Sequence, residues 1–450
     1  MSEGASLTFF EYFCGMSSSA RKISILPLLA VNFISTLGYG IVLPSLVYIV
    51  ERFHGSNVLY GALGASYSAC QFIGAPVLGK LSDRFGRKKI LFLSVLGSAI
   101  AWALFMLAFQ LPMEPMGAIS SALTGTISFT LPLITIFIAR AIDGLTAGDV
   151  SVANAYVADV STPEKRKADF GKMGVAANLG FILGPALAGV LAVTSHGLHL
   201  PILTALATSV LGLLLIVFFL PESRPRSFRN DPANIGKHLG AGAKGCFEPE
   251  RPKTMTLRAA LRIESIPLLL SIYFVFFLAF SLFVAAMPLY ATETLHWSVA
   301  ETGIFFSVLS MVIVLTEGPL LSWMNKRVTA EALTISGTFI VVFSYLSLLV
   351  PNPVFAYLAA VLYALGNGLM WPSFLSLLSE RAGDENQGYI QGLGNSAGSL
   401  ASIAGLLVGG ALFTPMKGSI FIIPAGLVAI VFIMSFWLRT PKRAIPRSSS

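Results

Sequence analysis

Long apolar runs, separated by short polar stretches, dominate the chain. A helix needs about 20 apolar residues to cross the hydrocarbon core of a membrane. Twelve such runs lie near 24–50, 58–80, 90–110, 128–158, 170–194, 199–220, 266–291, 302–323, 331–350, 354–379, 388–413 and 418–438. The pattern predicts an all-α membrane protein with twelve transmembrane spans, which we number 1 to 12 in chain order.

The composition excludes most soluble classes. Hydrophobic residues make up 55% of the 450 residues and charged residues 12%, whereas soluble domains carry about 25% charged residues. The three cysteines are far apart, which argues against a disulfide framework or a cysteine-based metal cluster. The five histidines share no ligand spacing. We therefore expect no cofactor and no metal.

The basic residues predict the orientation in the membrane. With the N-terminus inside, 27 of the 30 Lys and Arg residues fall in inside loops and tails, and only Arg52 and Lys417 lie outside. Arg140 lies within span 4. Cytoplasmic loops carry such an excess of positive charge. The net charge of +8 therefore reflects topology, and no nucleic acid partner is expected.

A change in composition divides the chain into two halves. Residues 221–265 contain five prolines and nine basic residues and predict a cytoplasmic linker, with a short surface helix near 255–262. The expected parts are a cytoplasmic N-terminus (1–23), two pseudo-symmetric six-helix bundles (24–220 and 266–438) and a cytoplasmic tail (439–450). Pro76-x-x-Gly79-x-x-x-Asp83-Arg84 and Pro319-x-x-Ser322-x-x-x-Lys326-Arg327 occupy matching positions in the two halves, as an internal repeat requires.

The loop between spans 2 and 3 carries the most specific motif. It reads Gly79-x-x-x-Asp83-Arg84-x-Gly86-Arg87-Lys88. Gly79 is expected to let two helices approach closely, and Asp83 to suit the positive end of the next helix. A loop that merely fixes topology would explain the basic residues, but not this spacing.

This motif resembles the signature loop of the major facilitator superfamily, and further segments resemble its tetracycline-exporter branch. Those segments are Gly38-Tyr39-Gly40-Ile41-Val42-Leu43-Pro44, Ala155-Tyr156-Val157-Ala158-Asp159 and Leu220-Pro221-Glu222-Ser223. The resemblance implies a twelve-helix transporter that works by alternating access. It also implies a charge lock that closes the inner gate, formed by Asp83, the loop arginines and Asp159.

Span 4 carries a polar stripe. At 100° per residue, Arg140, Asp143 and Asn154 lie near one line, and a charge in mid-membrane should face a cavity or a partner. Arg140 followed by Gly144 also matches the family's motif in this span, which is linked to proton transfer. Asp143 is therefore the first candidate for a proton carrier, and a static Arg140–Asp143 ion pair is the alternative.

Two other acids are candidates for proton coupling. Asp149 lies about 180° from Arg140 on a continuous helix, so we expect it to face away from the same cavity. Glu317 lies in span 8, two residues before Pro319, and an acid at a helix interface is the favoured interpretation for it.

Span 5 contains small residues at regular spacing. Gly180, Gly184 and Ala188 recur every four residues, and Pro185 permits a bend. Tight helix packing alone would explain this face. The Gly184-Pro185 pair with Gly189 also resembles the family's antiporter motif, which implies export.

Polar and aromatic residues within the spans are candidates for lining a substrate cavity. These are Asn32, Tyr39, Gln71, Asn154, Asn178, Tyr273, Asn367, Trp371 and Asn395. Most of the phenylalanines that crowd span 7 are expected to face lipid or to serve packing. Such a cavity suits a small amphipathic organic molecule, for example a drug-like compound, a metabolite or a siderophore.

The sequence departs from the tetracycline exporters in span 1. They carry an aspartate shortly before the Gly-x-Gly, where this chain has Ser35, so tetracycline is a doubtful substrate.

An enzyme is not expected, because no H-E-x-x-H motif and no Walker A loop are present. The remaining hypotheses are a proton-coupled exporter and, on the same fold, a proton-coupled importer. The expected partners are the substrate, protons and lipid, and we expect a monomer in a bacterial inner membrane.

Overall fold

The computed structural model describes residues 24–42, 44–121, 125–161, 163–194, 197–223, 257–383 and 387–439. The expected N-terminal segment, most of the linker and nearly all of the C-terminal tail lie outside these residues. Part of the linker is described, and the short helix α9 (Leu257–Ala260) lies where a surface helix was expected.

The first half consists of eight helices and one β-hairpin. The helices are α1 (Leu26–Val42), α2 (Leu46–Arg52), α3 (Asn57–Phe85), α4 (Arg87–Ala108), α5 (Leu131–Thr146), α6 (Asp149–Val160), α7 (Pro163–Ala192) and α8 (His199–Phe219). The hairpin pairs β1 (Pro115–Ser121) with β2 (Gly125–Thr130) in antiparallel register, Ser121 opposite Gly125. The prediction that span 4 begins near residue 128 was wrong by a few residues, since the hairpin extends to Thr130 and α5 begins at Leu131.

In the part of the second half that the structure describes, all regular elements are helical, and turns and short loops connect them. It consists of α10 (Ile266–Glu293), α11 (Val299–Leu315), a π-helical turn (Thr316–Leu320), α12 (Leu321–Met324), α13 (Ala330–Ser347), α14 (Pro353–Ala382), α15 (Gln387–Met416), a 3₁₀ turn (Lys417–Phe421), α16 (Ile422–Ser435) and a final 3₁₀ turn (Phe436–Arg439). Ser298 begins α11 with a capping box, in which its hydroxyl and the Glu301 side chain each accept a backbone N–H.

Each predicted apolar run overlaps a helix, because a chain in lipid must satisfy its backbone hydrogen bonds within its own segment. Among the described residues, nine helical stretches are long and apolar enough to cross a membrane, or ten if the bent pair α1 and α2 forms one span. One of the nine, Tyr389–Leu438, includes both α15 and α16. The all-helical membrane class is confirmed, while twelve crossings remain a prediction.

The two halves contact each other through a symmetric pair of helix contacts. α3 of the first half packs on α15, and α7 of the first half packs on α11. These contacts join span 2 to span 11 and span 5 to span 8. Adding six to each span number exchanges the two halves, and it converts one contact into the other. The packing therefore has the pseudo-two-fold relation that an internal repeat produces.

Candidate functional site

Arg87 is the centre of a charge cluster at one end of the first half. Its side chain is 6% exposed and lies 2.7 Å from Asp83 Oδ1 and 3.1 Å from Asp159 Oδ2. It also donates to Ser82 Oγ at 2.5 Å. We call Asp83, Arg87 and Asp159 the charge lock, and the end of the molecule that carries it the basic end. These are residues that the family resemblance groups into one cluster, and they lie together in the structure.

Glu222 belongs to the same cluster and was not among the predicted site residues. Its carboxylate accepts the backbone N–H groups of Arg87 (2.8 Å) and Lys88 (3.3 Å) at the start of α4, where the helix dipole favours a negative charge. Gly86 has φ of 103°, and a Cβ there would lie 2.3 Å from Glu222 Oε2. The segment Leu220–Ser223 was the available signal, but the sequence did not show what Glu222 contacts.

The other predicted lock residues play different roles. The Arg84 guanidinium lies 5.3 Å from the ring centre of Phe85. Lys88 Nζ donates to the carbonyl of Val217 near the end of α8. The expectation that Gly79 allows a close helix approach was wrong, because the nearest atom to a Cβ there would be Ser151 Oγ at an ordinary 3.7 Å.

A large cavity of about 780 Å³ separates the two halves at the basic end. Its wall from the first half comes from α3 and α6, and its wall from the second half from α10 and α15. Four predicted cavity residues, Gln71, Asn154, Tyr273 and Asn395, line it. The Tyr273 hydroxyl donates to Asn395 Oδ1 at 2.9 Å, which fixes both side chains in the wall.

A smaller cavity of about 200 Å³ continues from the large one and contains the predicted basic residue of span 4. Tyr39, Gln71 and Arg140 line it, and Gln71 belongs to both cavities. The Arg140 guanidinium lies 5.0 Å from the ring centre of Tyr67, in cation–π range. Arg140 Nε is buried and has no hydrogen-bond partner among the described residues.

Asp143 lies behind Arg140 rather than in the cavities. Its Oδ1 accepts the Ser98 hydroxyl at 2.7 Å, and its Oδ2 is 3.5 Å from Arg140 Nη1. It is 4% exposed and lines none of the three cavities described here. The predicted pairing with Arg140 is present, and of the two residues only Arg140 lines a cavity.

Span 4 is not one continuous helix, because α5 ends at Thr146 and α6 begins at Asp149. The angle counted from Arg140 to Asp149 therefore does not carry across the break. Asp149 lines none of the three cavities, and a role for it in proton coupling stays a prediction.

A third cavity of about 390 Å³ lies between α7 and the second half. We call it the aromatic chamber, and its rings come from Phe181, Phe276, Phe277, Phe280, Phe283, Phe306, Tyr363 and Trp371. Four of the span 7 phenylalanines line this chamber, and Phe276 and Phe283 also lie in the hydrophobic core, so they serve packing as expected and form a cavity wall as well. The predicted Asn178, Asn367 and Trp371 line it as well.

Glu317 lies in the aromatic chamber, not at a simple helix interface. The π-helical turn Thr316–Leu320, which contains Pro319, carries it there. Such turns widen a helix locally and are frequent at functional sites. Asn178 Nδ2 donates to Glu317 Oε2 at 3.1 Å, and this bond joins α7 of the first half to the second half.

Asn32 is the one predicted cavity residue that lines none of the three cavities. Its amide donates to the Met173 carbonyl at 2.9 Å, and the side chain is buried between α1 and α7. It joins two helices of one half. This polar residue within a span therefore gives a hydrogen bond to the backbone carbonyl of a neighbouring helix, which is the common outcome for buried amides.

The small residues of α7 contact helices on two sides. A Cβ on Gly180 would lie 2.8 Å from the Phe33 carbonyl, and one on Gly184 2.7 Å from Gly40, both on α1. A Cβ on Gly189 would lie 3.1 Å from the Ala300 carbonyl in the second half. Pro185 lines the aromatic chamber, so the motif also shapes a cavity wall.

The halves are in direct contact at the end opposite the charge lock. A Cβ on Gly61 would lie 2.5 Å from the Leu406 carbonyl, and one on Gly303 2.6 Å from the Pro185 carbonyl. Asn57 Nδ2 donates to Glu293 Oε1 at 2.7 Å across the same end. The cavity system is therefore walled off here, while the large cavity reaches Gly79 and Tyr389 towards the basic end.

Comparison with known proteins places these features in context. The family model described as Major Facilitator Superfamily matches residues 28–406. The chain is 27% identical to the tetracycline resistance protein, class C, of Escherichia coli over 87% of its length and 89% of that protein. It is 26% identical to multidrug resistance protein 2 of Bacillus subtilis (strain 168), over 88% and 90% of the two chains. The crystal structure of a D-xylose-proton symporter has the same fold, with a TM-score of 0.69, 17% identity and coverage of 91% and 96%.

Proposed function

The chain belongs to the major facilitator superfamily of membrane transporters, and from this premise we propose that it exports a small amphipathic organic molecule in exchange for protons by alternating access. Members of this family are transporters and not enzymes. We place it in a bacterial inner membrane, with both termini and the basic end in the cytoplasm, because cytoplasmic loops carry the excess of positive charge.

One observation carries the proposal. The large cavity lies between two pseudo-symmetric halves, opens towards the basic end and is walled off by glycine contacts at the opposite end. In the proposed orientation this is an inward-open state, ready to take a molecule from the cytoplasm. Rocking of one half on the other would expose the same walls to the other side.

The Arg140–Asp143 pair supports coupling to protons. Arg140 lines the middle cavity and Asp143 lies directly behind it, held by Ser98. Protonation of Asp143 would remove the negative partner of Arg140 and break the pair, which leaves an uncompensated positive charge at the cavity wall. Release of the proton restores the ion pair and a neutral wall. In the proposed cycle the substrate binds when the pair is intact and the proton when it is broken, so that the two alternate, as exchange requires.

The direction of transport rests on two supports. The α7 residues Gly184, Pro185 and Gly189 match the motif found chiefly in exporters, and Pro185 lies in the wall of the aromatic chamber. Two of the proteins named above are called resistance proteins, and a transporter confers resistance when it removes the compound from the cell. The alternative is an importer, since a cavity open to the cytoplasm could equally be the releasing state of one. Unchanged export by Pro185→Ala would show that the motif does not set the direction.

The substrate can be found by paired metabolite profiling of cells that lack the gene and cells that overexpress it. A compound that accumulates inside the deletion strain and disappears from its medium is the exported substrate. A compound that instead stays in the medium and is depleted inside would identify an importer.

With that compound, Asp143→Asn in proteoliposomes tests the coupling. We expect the variant to lose transport driven by a pH gradient and to keep substrate exchange without a gradient, because the neutral amide cannot carry a proton. Asp169→Asn is the matched control, because Asp169 pairs with Lys172 outside the cavities. Normal gradient-driven transport by Asp143→Asn would contradict the assignment of the proton to this residue.

A further inference from the structure

Glu317 is the one formal charge among the described residues that line the aromatic chamber. Its Oε2 accepts the Asn178 amide, while none of the described residues donates a hydrogen bond to its Oε1. A carboxylate held among aromatic rings has given up much of its hydration, and it gains most from a positively charged partner. The chamber contains no such partner among its described residues.

Aromatic rings line the same chamber as Glu317. Phe276 stacks on Trp371 with ring centres 5.8 Å apart, and Phe277 meets Trp371 edge to face at 5.2 Å. The faces of such rings attract cations, and the attraction strengthens when water is excluded. A neutral ligand would use the apolar surface but would leave the carboxylate without its counter-charge. An anion would be repelled by it.

We propose that the aromatic chamber binds an amphipathic organic cation, with Glu317 as the charge anchor and the surrounding rings as the apolar and cation–π wall. This inference rests on the proposed transport function and names the substrate class of its cavity. The residue that determines specificity for charge is then Glu317, not the Arg140–Asp143 pair, which lies in a different cavity and already neutralises itself.

The Asn178–Glu317 bond gives substrate binding a direct link to the contact between the halves. Asn178 belongs to α7 and Glu317 to the π-helical turn of the second half. A cation bound at Glu317 Oε1 draws negative charge away from Oε2, the atom that accepts the Asn178 amide. Binding therefore weakens a bond between the two halves.

Equilibrium binding to the purified full chain in lipid nanodiscs tests the proposal without any gradient. The probe is tetraphenylphosphonium, a permanent lipophilic cation, and triphenylphosphine oxide is the neutral comparison. We expect Glu317→Gln to weaken binding of the cation by roughly tenfold or more, since it removes a desolvated charge contact. Binding of the neutral compound should change by less than about twofold.

Two variants keep the interpretation unambiguous. Glu301→Gln is the matched control on the same helix, α11, where glutamine retains the capping box outside the chamber. It should bind the cation as the unchanged chain does. Asn178→Ala removes the amide that donates to Glu317 Oε2 and is expected to bind the cation at least as tightly, provided that its thermal unfolding shows an intact fold.

The proposal fails if the unchanged chain does not bind the cation, if Glu317→Gln binds it normally, or if Asn178→Ala loses it as Glu317→Gln does. Because no proton gradient is present, this result is independent of the coupling mechanism. Normal gradient-driven transport by Asp143→Asn would refute the proposed proton site and leave cation binding at Glu317 standing. Loss of cation selectivity would leave the proton exchange standing.

Discussion

The two ends of the molecule hold their parts together by different means. At the end opposite the charge lock, glycines bring the backbones of α3 and α15 into contact, so the halves meet directly. At the basic end, Arg87 joins α3, α4 and α6, all of which belong to the first half. The first arrangement is a seal between the halves. The second, which is the charge lock, is a clasp that holds helices of one half together.

This difference predicts different responses to substitution. A seal made of close backbone contact has no room for added volume, and interiors packed in this way do not deform smoothly. A clasp made of buried charges tolerates small changes of volume but not the loss of a partner. Substitutions at the basic end should therefore lower stability, whereas substitutions at the opposite end should change access to the cavity.

Arg87→Ala is expected to have the largest effect on stability. It removes two charge contacts and leaves Asp159, which is 10% exposed, without this counter-charge. Breaking a buried pair from one side costs about 3 kcal/mol or more, which should lower the thermal unfolding midpoint of a chain of 450 residues by roughly 3 °C or more. Thermal unfolding of the purified protein in detergent measures it.

Arg84→Ala is the control for this prediction, because the Arg84 guanidinium rests on Phe85 outside the clasp. It should change the midpoint by no more than about 2 °C, as expected for a largely exposed contact. Equal midpoints for the two variants would mean that the clasp contributes no more than an ordinary surface arginine.

Gly410→Leu is expected to have the next largest effect, and on access rather than stability. A Cβ on Gly410 would lie 2.6 Å from the Asn57 carbonyl and 2.8 Å from Gly61 Cα, so the halves must separate. Overpacking of this kind costs about 2 kcal/mol, which corresponds to a roughly thirtyfold shift towards the state open at this end. An impermeant maleimide, applied from that side, should label Asn395→Cys correspondingly faster in a chain free of other cysteines.

Gly426→Leu provides the control for Gly410→Leu, because nothing lies within 4 Å of a Cβ at Gly426 in α16. Its labelling rate should match that of the unchanged chain. If both leucine variants label at that same rate, the glycine contacts do not form the seal.

The sequence predicted the helical architecture well for a physical reason. Each apolar run must satisfy its backbone within its own segment when it lies in lipid, so a run of sufficient length indicates a helix without knowledge of its neighbours. The clasp was predicted through the family resemblance, which groups Asp83, the loop arginines and Asp159.

The sequence could not predict which side chains meet across the two halves. Glu317 looked like an ordinary interface acid because neither its π-helical turn nor its partner Asn178, which is 139 residues away in the chain, is visible in local periodicity. The angular position of Asp149 could not be counted along the sequence, because span 4 breaks between α5 and α6. The aromatic chamber itself was not foreseen, because packing, lipid and a chamber wall all favour phenylalanine.

Asn57→Ala should have the smallest effect. It tests whether the side chain or the backbone of this residue holds the opposite end closed. The Asn57 amide donates to Glu293 and Thr414, and these exposed contacts stabilise the seal by less than about 1 kcal/mol. Gly410, in contrast, packs on the Asn57 backbone carbonyl, which alanine retains. Maleimide labelling of Asn395→Cys should therefore rise by no more than about fivefold in Asn57→Ala, against the much larger rise in Gly410→Leu. Equal rises would mean that polar side chains hold this end closed, and the contrast between a packed seal and a charged clasp would then be wrong.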